Sequence, residues 1–421
     1  MSERLPAWRW LVGQGVGKST WVLAACQAFF FMGVSIDLTL TAIVGLKLAP
    51  TPALATVPLA AIATIGALCS IGTGLAASRI GYIAVMVAGA VTAAVGAVLS
   101  VVAVSLDSFW LLCCGTGLVG AYRATGGYIK YMAADRAPEG QRERALAFIL
   151  YGGLVAAFIG PFVATWSSDL LLAPYAGAYA MVGVFALTNI PLLLSLGAGR
   201  LRPKVPAEKP TPVPLRSVAA SREFYAGMFA LAGAGALMTM IMAVGPLANH
   251  QAGHSAHLGA AIIQWHLVGM FAPSVVSGSV LTKIGPGWTG VIGAALFAAG
   301  AVGGVLGTAP INFLLALALN GIGWNFLYLA GTTFVVRTYP AHRGGRIQAA
   351  AEGLNQVTGV LASLTASSVF VLLGWQGANW PVLGVSLALM LYLLYVAKPA
   401  YFRRVEAAQS EFTPRAPGAT G

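Results

Sequence analysis

The length of its apolar runs constrains this chain more than any other feature. The first run, Trp21 through Ile43, contains one charged residue, Asp37. A helix needs about 20 apolar residues to cross a hydrocarbon core about 30 Å thick. A cleaved secretory leader would be shorter and would end at a small-residue cleavage site, so this run stays as a spanning helix. Strands of a membrane barrel would instead show alternating segments of about 10 residues. The pattern predicts helices near residues 19–45, 52–77, 82–104, 108–132, 146–167, 172–197, 223–248, 258–281, 287–308, 311–335, 347–373 and 379–397. The expected fold is an all-α polytopic membrane protein with twelve transmembrane helices. Composition agrees: 58% of residues are hydrophobic and 9% charged, against about 25% charged in soluble domains.

The net charge of +12 raises the question of a nucleic-acid partner, and the placement of the cations answers it. Of 24 Lys and Arg, 22 fall at the termini and at even-numbered connections, counting Lys130 at the edge of the fourth, while Lys47 falls in an odd-numbered one and Arg123 well inside a helix. That is the positive-inside asymmetry. It predicts a multi-pass protein with both termini cytoplasmic, in contact with the lipid bilayer and with no nucleic acid. The four cysteines, Cys26, Cys69, Cys113 and Cys114, all fall in predicted spans and read as small buried hydrophobes.

A polar stretch rich in Pro, Arg and Lys, AGRLRPKVPAEKPTPVPLRSVAAS, separates helices six and seven. The expected organisation is an N-terminal six-helix half (1–198), a central cytoplasmic loop (199–222), a C-terminal six-helix half (223–397) and a cytoplasmic tail (398–421). An internal repeat supports the two halves: Gly74, Arg79 and Gly81 recur at identical spacing as Gly278, Lys283 and Gly285. The segment GLAASRIG from Gly74 resembles the loop motif of the major facilitator superfamily, with Ser78 where that family usually has Asp. Arg123 with Gly127 and Gly160 with Pro161 resemble two further motifs of the family. The resemblance implies two six-helix bundles that rock about a midplane site, with helices one, four, seven and ten lining the cavity and two, five, eight and eleven between the halves.

Fold does not fix cargo, so intramembrane polar and soft atoms must. Four of the five histidines, His250, His254, His257 and His266, lie within 17 residues. Met238 and Met242 share one face of helix seven at i, i+4 spacing, as His266 and Met270 do on helix eight, while Met240 points elsewhere. With the turn centred at His254, Met242 and His266 are each 12 residues away, and Met238 and Met270 each 16. At 1.5 Å per residue both pairs fall about 12–18 Å deep, bracketing the midplane. Three thioethers and one imidazole favour copper, Cu(I) above other ions. The bland alternative is that methionine fills gaps in the packing and His266 bonds Gln264 or a backbone carbonyl. Met-x-x-x-Met and His-x-x-x-Met at these positions resemble the CcoA-like copper importers of this superfamily. That resemblance implies copper uptake across a bacterial inner (plasma) membrane into the cytoplasm for assembly of cbb3-type cytochrome oxidase; related members without the motifs are similar to riboflavin transporters.

Other candidates carry less. His250, His254 and His257 sit in the turn NHQAGHSAH, where neutral imidazoles suit accessory metal collection. Asp37 and Arg123 are intramembrane charges suited to coupling or gating, at estimated depths of about 9 Å and about 21 Å. Asn320, Asn325 and Gln356 are expected to bond across helices, and Glu352 to meet Arg346. VGQGVGKST lacks the spacing of a phosphate-binding loop. The chain is therefore expected to be no enzyme, to need no resident cofactor, and to work as a monomeric secondary transporter. The alternative cargo is an organic molecule such as riboflavin or a drug, stacked on Trp265, Trp324 and Tyr328. A membrane copper sensor is the third reading, disfavoured because no sensory domain is evident.

Overall fold

The computed structural model describes residues 17–126, 128–136, 142–197, 218, 221–339 and 345–397. Among them, the first half comprises α1 (Lys18–Leu48), α2 (Val57–Ile80), α3 (Tyr82–Ser105), α4 (Phe109–Gly126), α5 (Tyr128–Arg136), α6 (Arg142–Ser167) and α7 (Ala176–Ser195). The second half comprises α8 (Arg222–Gln251), α9 (Ala256–Phe271), α10 (Ser274–Val305), α11 (Pro310–Arg337) and α12 (Gly345–Ala397). Among the described residues, eight helices are long and apolar enough to cross a membrane. The remaining crossings follow from where helices break or merge. α4 with α5 makes span four, α6 span five, and α9 with the start of α10 span eight. α10 turns at Gly285 and α12 at Gly374, so each contributes to two spans. All twelve expected spans are accounted for. Nearly all of the predicted central loop and the whole tail lie outside the described residues.

One predicted helix is interrupted among the described residues. Span eight breaks at Ala272 and Pro273, where proline has no N–H to continue the ladder. The internal repeat is visible in the backbone: Gly81 and Gly285 turn their equivalent corners at φ 91° and 79°, a region that glycine enters without steric cost.

An even number of crossings brings Lys18 and Ala397 to one end, here called the terminal end. The halves meet through α6 against α9, α2 against α12 and α1 against α8. Spans two, five, eight and eleven thus meet at the interface, as the resemblance implies, and spans one and seven also touch across it. One buried apolar cluster crosses it, joining Leu38, Leu59 and Ile62 to Leu237, Ile241 and Phe370.

Candidate functional site

The far end, opposite the termini, is closed by hydrogen bonds between the halves. Thr56 donates to the Ser363 carbonyl (2.8 Å), Ser367 Oγ lies 2.9 Å from Thr56 Oγ1, and Ser367 donates to the Ala53 carbonyl (2.5 Å). Thr56, Ser363 and Ser367 are buried. Towards the terminal end a cavity of about 810 Å³ opens between the halves, reaching Ser70, Ser277 and Gln356. Ser70 and Gln356 are exposed there. The molecule therefore stands open towards its terminal end.

Met238, Met242 and Met270 all line this cavity. Their backbone is held by α11. Asn320 Nδ2 donates to the Leu237 carbonyl (3.2 Å), next to Met238, and Asn325 Nδ2 donates to the Met270 carbonyl and to Ser274 Oγ (both 2.8 Å). Gly321 brings α9 close, because a methyl there would collide with the His266 carbonyl. Asn320 and Asn325 bond across helices as expected, whereas Gln356 bonds Glu352 within its own helix (3.2 Å).

His266 departs from the sequence expectation. It is fully buried (0% exposed) and lies behind the cavity wall, since the α9–α11 approach seals it in. Its Nδ1 sits 3.0 Å from the Leu317 carbonyl. A carbonyl only accepts, so Nδ1 carries the proton and the neutral ring keeps a bare lone pair on Nε2. That Nε2 is buried without a hydrogen-bond partner. Metal-ligating histidines are commonly oriented in this way, one nitrogen donating to a backbone carbonyl and the other left free. The bland expectation of a backbone bond holds for one nitrogen and leaves the other unexplained.

The other candidates sort themselves. His250 and His257 are exposed on the far-end turn, but His254 is engaged: its Nε2 donates to the Thr308 carbonyl (2.8 Å) and its ring packs edge-on to Phe313. Arg123 Nη2 and Asp37 Oδ2 come within 3.5 Å. The estimated depths set them too far apart because α1 runs on to Leu48, which places Asp37 about 16 Å below that end. Asp37 is sealed (1% exposed) while Arg123 borders the cavity. Trp265 is 51% exposed and is no part of the cavity wall, while Trp324 and Tyr328 line it as a stacked pair, centroids 4.9 Å apart. Glu352 also lines the cavity, bonded to Tyr328; the side chain of Arg346 is outside the described residues. Cys26 is buried, Cys69 and Cys113 half-buried and Cys114 exposed, all as free thiols.

Twelve spans in two halves about a central cavity, closed at one end and open at the other, define a secondary transporter. The Major Facilitator Superfamily model matches residues 21–306, and the chain belongs to that family. It is 30% identical over 379 residues to the riboflavin transporter RfnT of Brucella anthropi, covering 90% of this chain and 95% of that one. It is 26% identical over 406 residues to the uncharacterized MFS-type transporter YddS of Bacillus subtilis, covering 92% of each. Among solved structures, a point mutant of the nucleoside transporter NupG superposes at a TM-score of 0.71 with 13% identity, over 90% of this chain and 100% of that one. The human organic anion transporter MFSD10 superposes at 0.61 with 14% identity, over 92% and 100%. These likenesses establish the transporter fold and the membrane setting.

Proposed function

We propose that this transporter imports copper across the bacterial inner membrane by alternating access, as a monomer with both termini cytoplasmic. Met238, Met242, Met270 and His266 ligate the ion. The observation that carries the reading is the buried His266 ring with its unpartnered Nε2, on the same helix face as Met270 and one turn from it. Three thioethers facing one cavity supply soft, neutral ligands, which hold Cu(I) and also release it. Since His266 lies behind the wall in the form open to the terminal end, the set of four closes around copper in another state of the cycle. The use of that copper in cbb3-type oxidase assembly rests on the resemblance alone.

The second reading is an organic substrate such as riboflavin, and the comparisons taken by themselves give it the greater weight through the 30% relative. Two features favour it here: a cavity of about 810 Å³ exceeds the needs of one ion, and the Trp324–Tyr328 stack offers a face to an aromatic ring.

Uptake into vesicles decides between them. The native chain is expected to accumulate labelled copper. A variant carrying Met238→Leu, Met242→Leu, His266→Leu and Met270→Leu, inserted to the same level, is expected to lose nearly all of it. Equal copper uptake by both would end the ligand assignment, and riboflavin uptake without copper uptake would install the second reading.

A further inference from the structure

The outer face where the start of α8 meets the last turns of α12 carries a chain of ring contacts. Tyr225 stacks on Phe229 (centroids 6.2 Å apart), Phe229 meets Tyr392 edge-on (5.5 Å), and the Arg222 guanidinium stands 5.5 Å over the Tyr395 ring. Tyr225, Phe229 and Tyr395 are 44%, 50% and 49% exposed. Arg222, Tyr225 and Tyr395 all lie within electrostatic reach of the Tyr392 hydroxyl, so one cation and three phenol groups share the patch. Depth sorts it. At 1.5 Å per residue, Tyr225 lies about 5 Å and Phe229 about 10 Å from the start of α8, and Tyr395 and Tyr392 lie about 3 Å and about 8 Å from the end of α12. The cation and the tyrosines thus fall at headgroup level at the terminal end. Leu391, Ala388 and Val385, all exposed, continue the Tyr395 face of α12 at helical spacing to acyl depth. Exposed tryptophans near span ends, such as Trp166, Trp288 and Trp380, fit an ordinary aromatic belt. A belt does not require a guanidinium gathered among tyrosines. The two acids of these helices lie off the face: Glu223 is buried and interacts with Arg337, and Glu352 lines the cavity.

We propose that this face binds an anionic phospholipid, its phosphate held by the Arg222 guanidinium and the tyrosine hydroxyls and an acyl chain lying along Phe229, Leu391 and Val385. A guanidinium presents five N–H donors in a planar fork that matches phosphate, and contact with one ring face does not exhaust them. Tyrosine suits this depth because its ring packs against hydrocarbon while its hydroxyl donates to the headgroup. Charge complementarity selects the occupant. A zwitterionic lipid brings its own ammonium group and loses the net attraction to a basic patch, and free phosphate leaves the apolar run uncovered. The bound lipid joins the first turns of span seven, the helix that carries Met238 and Met242, to the last turns of span twelve. The inference is independent of the cargo.

The test uses the full-length protein in detergent, with native mass spectrometry measuring the retention of added phosphatidylglycerol or phosphatidylcholine. The native chain is expected to retain phosphatidylglycerol in preference. Arg222→Gln is expected to weaken that retention about fivefold, the factor that one interfacial cation contributes. Joint Tyr225→Phe, Tyr392→Phe and Tyr395→Phe, which keeps the rings and removes the hydroxyls, is expected to weaken it by a smaller factor. Lys283→Gln, which removes another exposed cation at the same end, is expected to leave it unchanged. Should the triple variant fail to fold, the comparison of Arg222→Gln with Lys283→Gln decides alone. Equal retention of the two lipids, an equal loss in Lys283→Gln, or unchanged retention in Arg222→Gln would overturn the proposal. Displacement of phosphatidylglycerol by excess inorganic phosphate would overturn it in favour of a free anion. A protein dimer that forms at the expense of lipid retention would overturn it in favour of a second copy of this chain.

Discussion

Asp37 and Arg123 show how burial assigns roles to single residues. The carboxylate is sealed at 1% exposure and its guanidinium partner sits at the cavity edge, 3.5 Å away. Removing one member of such a pair leaves the other uncompensated, at a cost of several kcal/mol when both are buried and less here, where Arg123 borders the cavity. Asp37→Asn is therefore expected to destabilise the protein by about 1–3 kcal/mol. Adding Arg123→Gln is expected to recover part of that loss. Thermal unfolding in detergent checks both, and a double variant less stable than the single would contradict the pairing. The Met and His spacings were legible in the sequence because i, i+4 faces are a local property of a helix. The bond from Tyr328 to Glu352 was not legible, because Tyr328 reaches it from a different helix.

At the scale of elements, α11 organises the site without supplying a ligand. Asn320 and Asn325 hold the backbone beside Met238 and at Met270, and Gly321 admits α9. Groups that orient ligands from behind typically contribute about 10- to 100-fold to metal affinity. Asn325→Leu is thus expected to weaken copper binding by about that factor while leaving the helix inserted. Titration with a competing copper chelator measures it, and unchanged affinity would show that α11 does not position the thioethers. The spans themselves were legible because a run of about 20 apolar residues is a strong local signal. The break at Ala272–Pro273 was not, since a proline inside an apolar run reads equally as a kink or a stop.

For the whole molecule, the relation between the halves sets access. Thr56, Ser363 and Ser367 close the far end with bonds that must break when the cavity opens there. Each is worth about 0.5–1.5 kcal/mol net. Thr56→Val with Ser367→Ala is expected to shift the population towards the far-end-open form. Labelling of far-end positions by a membrane-impermeant reagent should rise accordingly, and no rise would mean the latch contributes nothing to closure. None of this was legible in the sequence, because the partners stand more than 300 residues apart.

The central claim is that one imidazole nitrogen and the cavity thioethers hold copper together, and X-ray absorption at the copper edge tests it most directly. Copper-loaded protein is expected to show a first shell dominated by sulfur with about one nitrogen. His266→Leu is expected to remove the nitrogen, and Met238→Leu, Met242→Leu and Met270→Leu one sulfur each. A shell of oxygen and nitrogen alone, or one that none of the four substitutions changes, would contradict it.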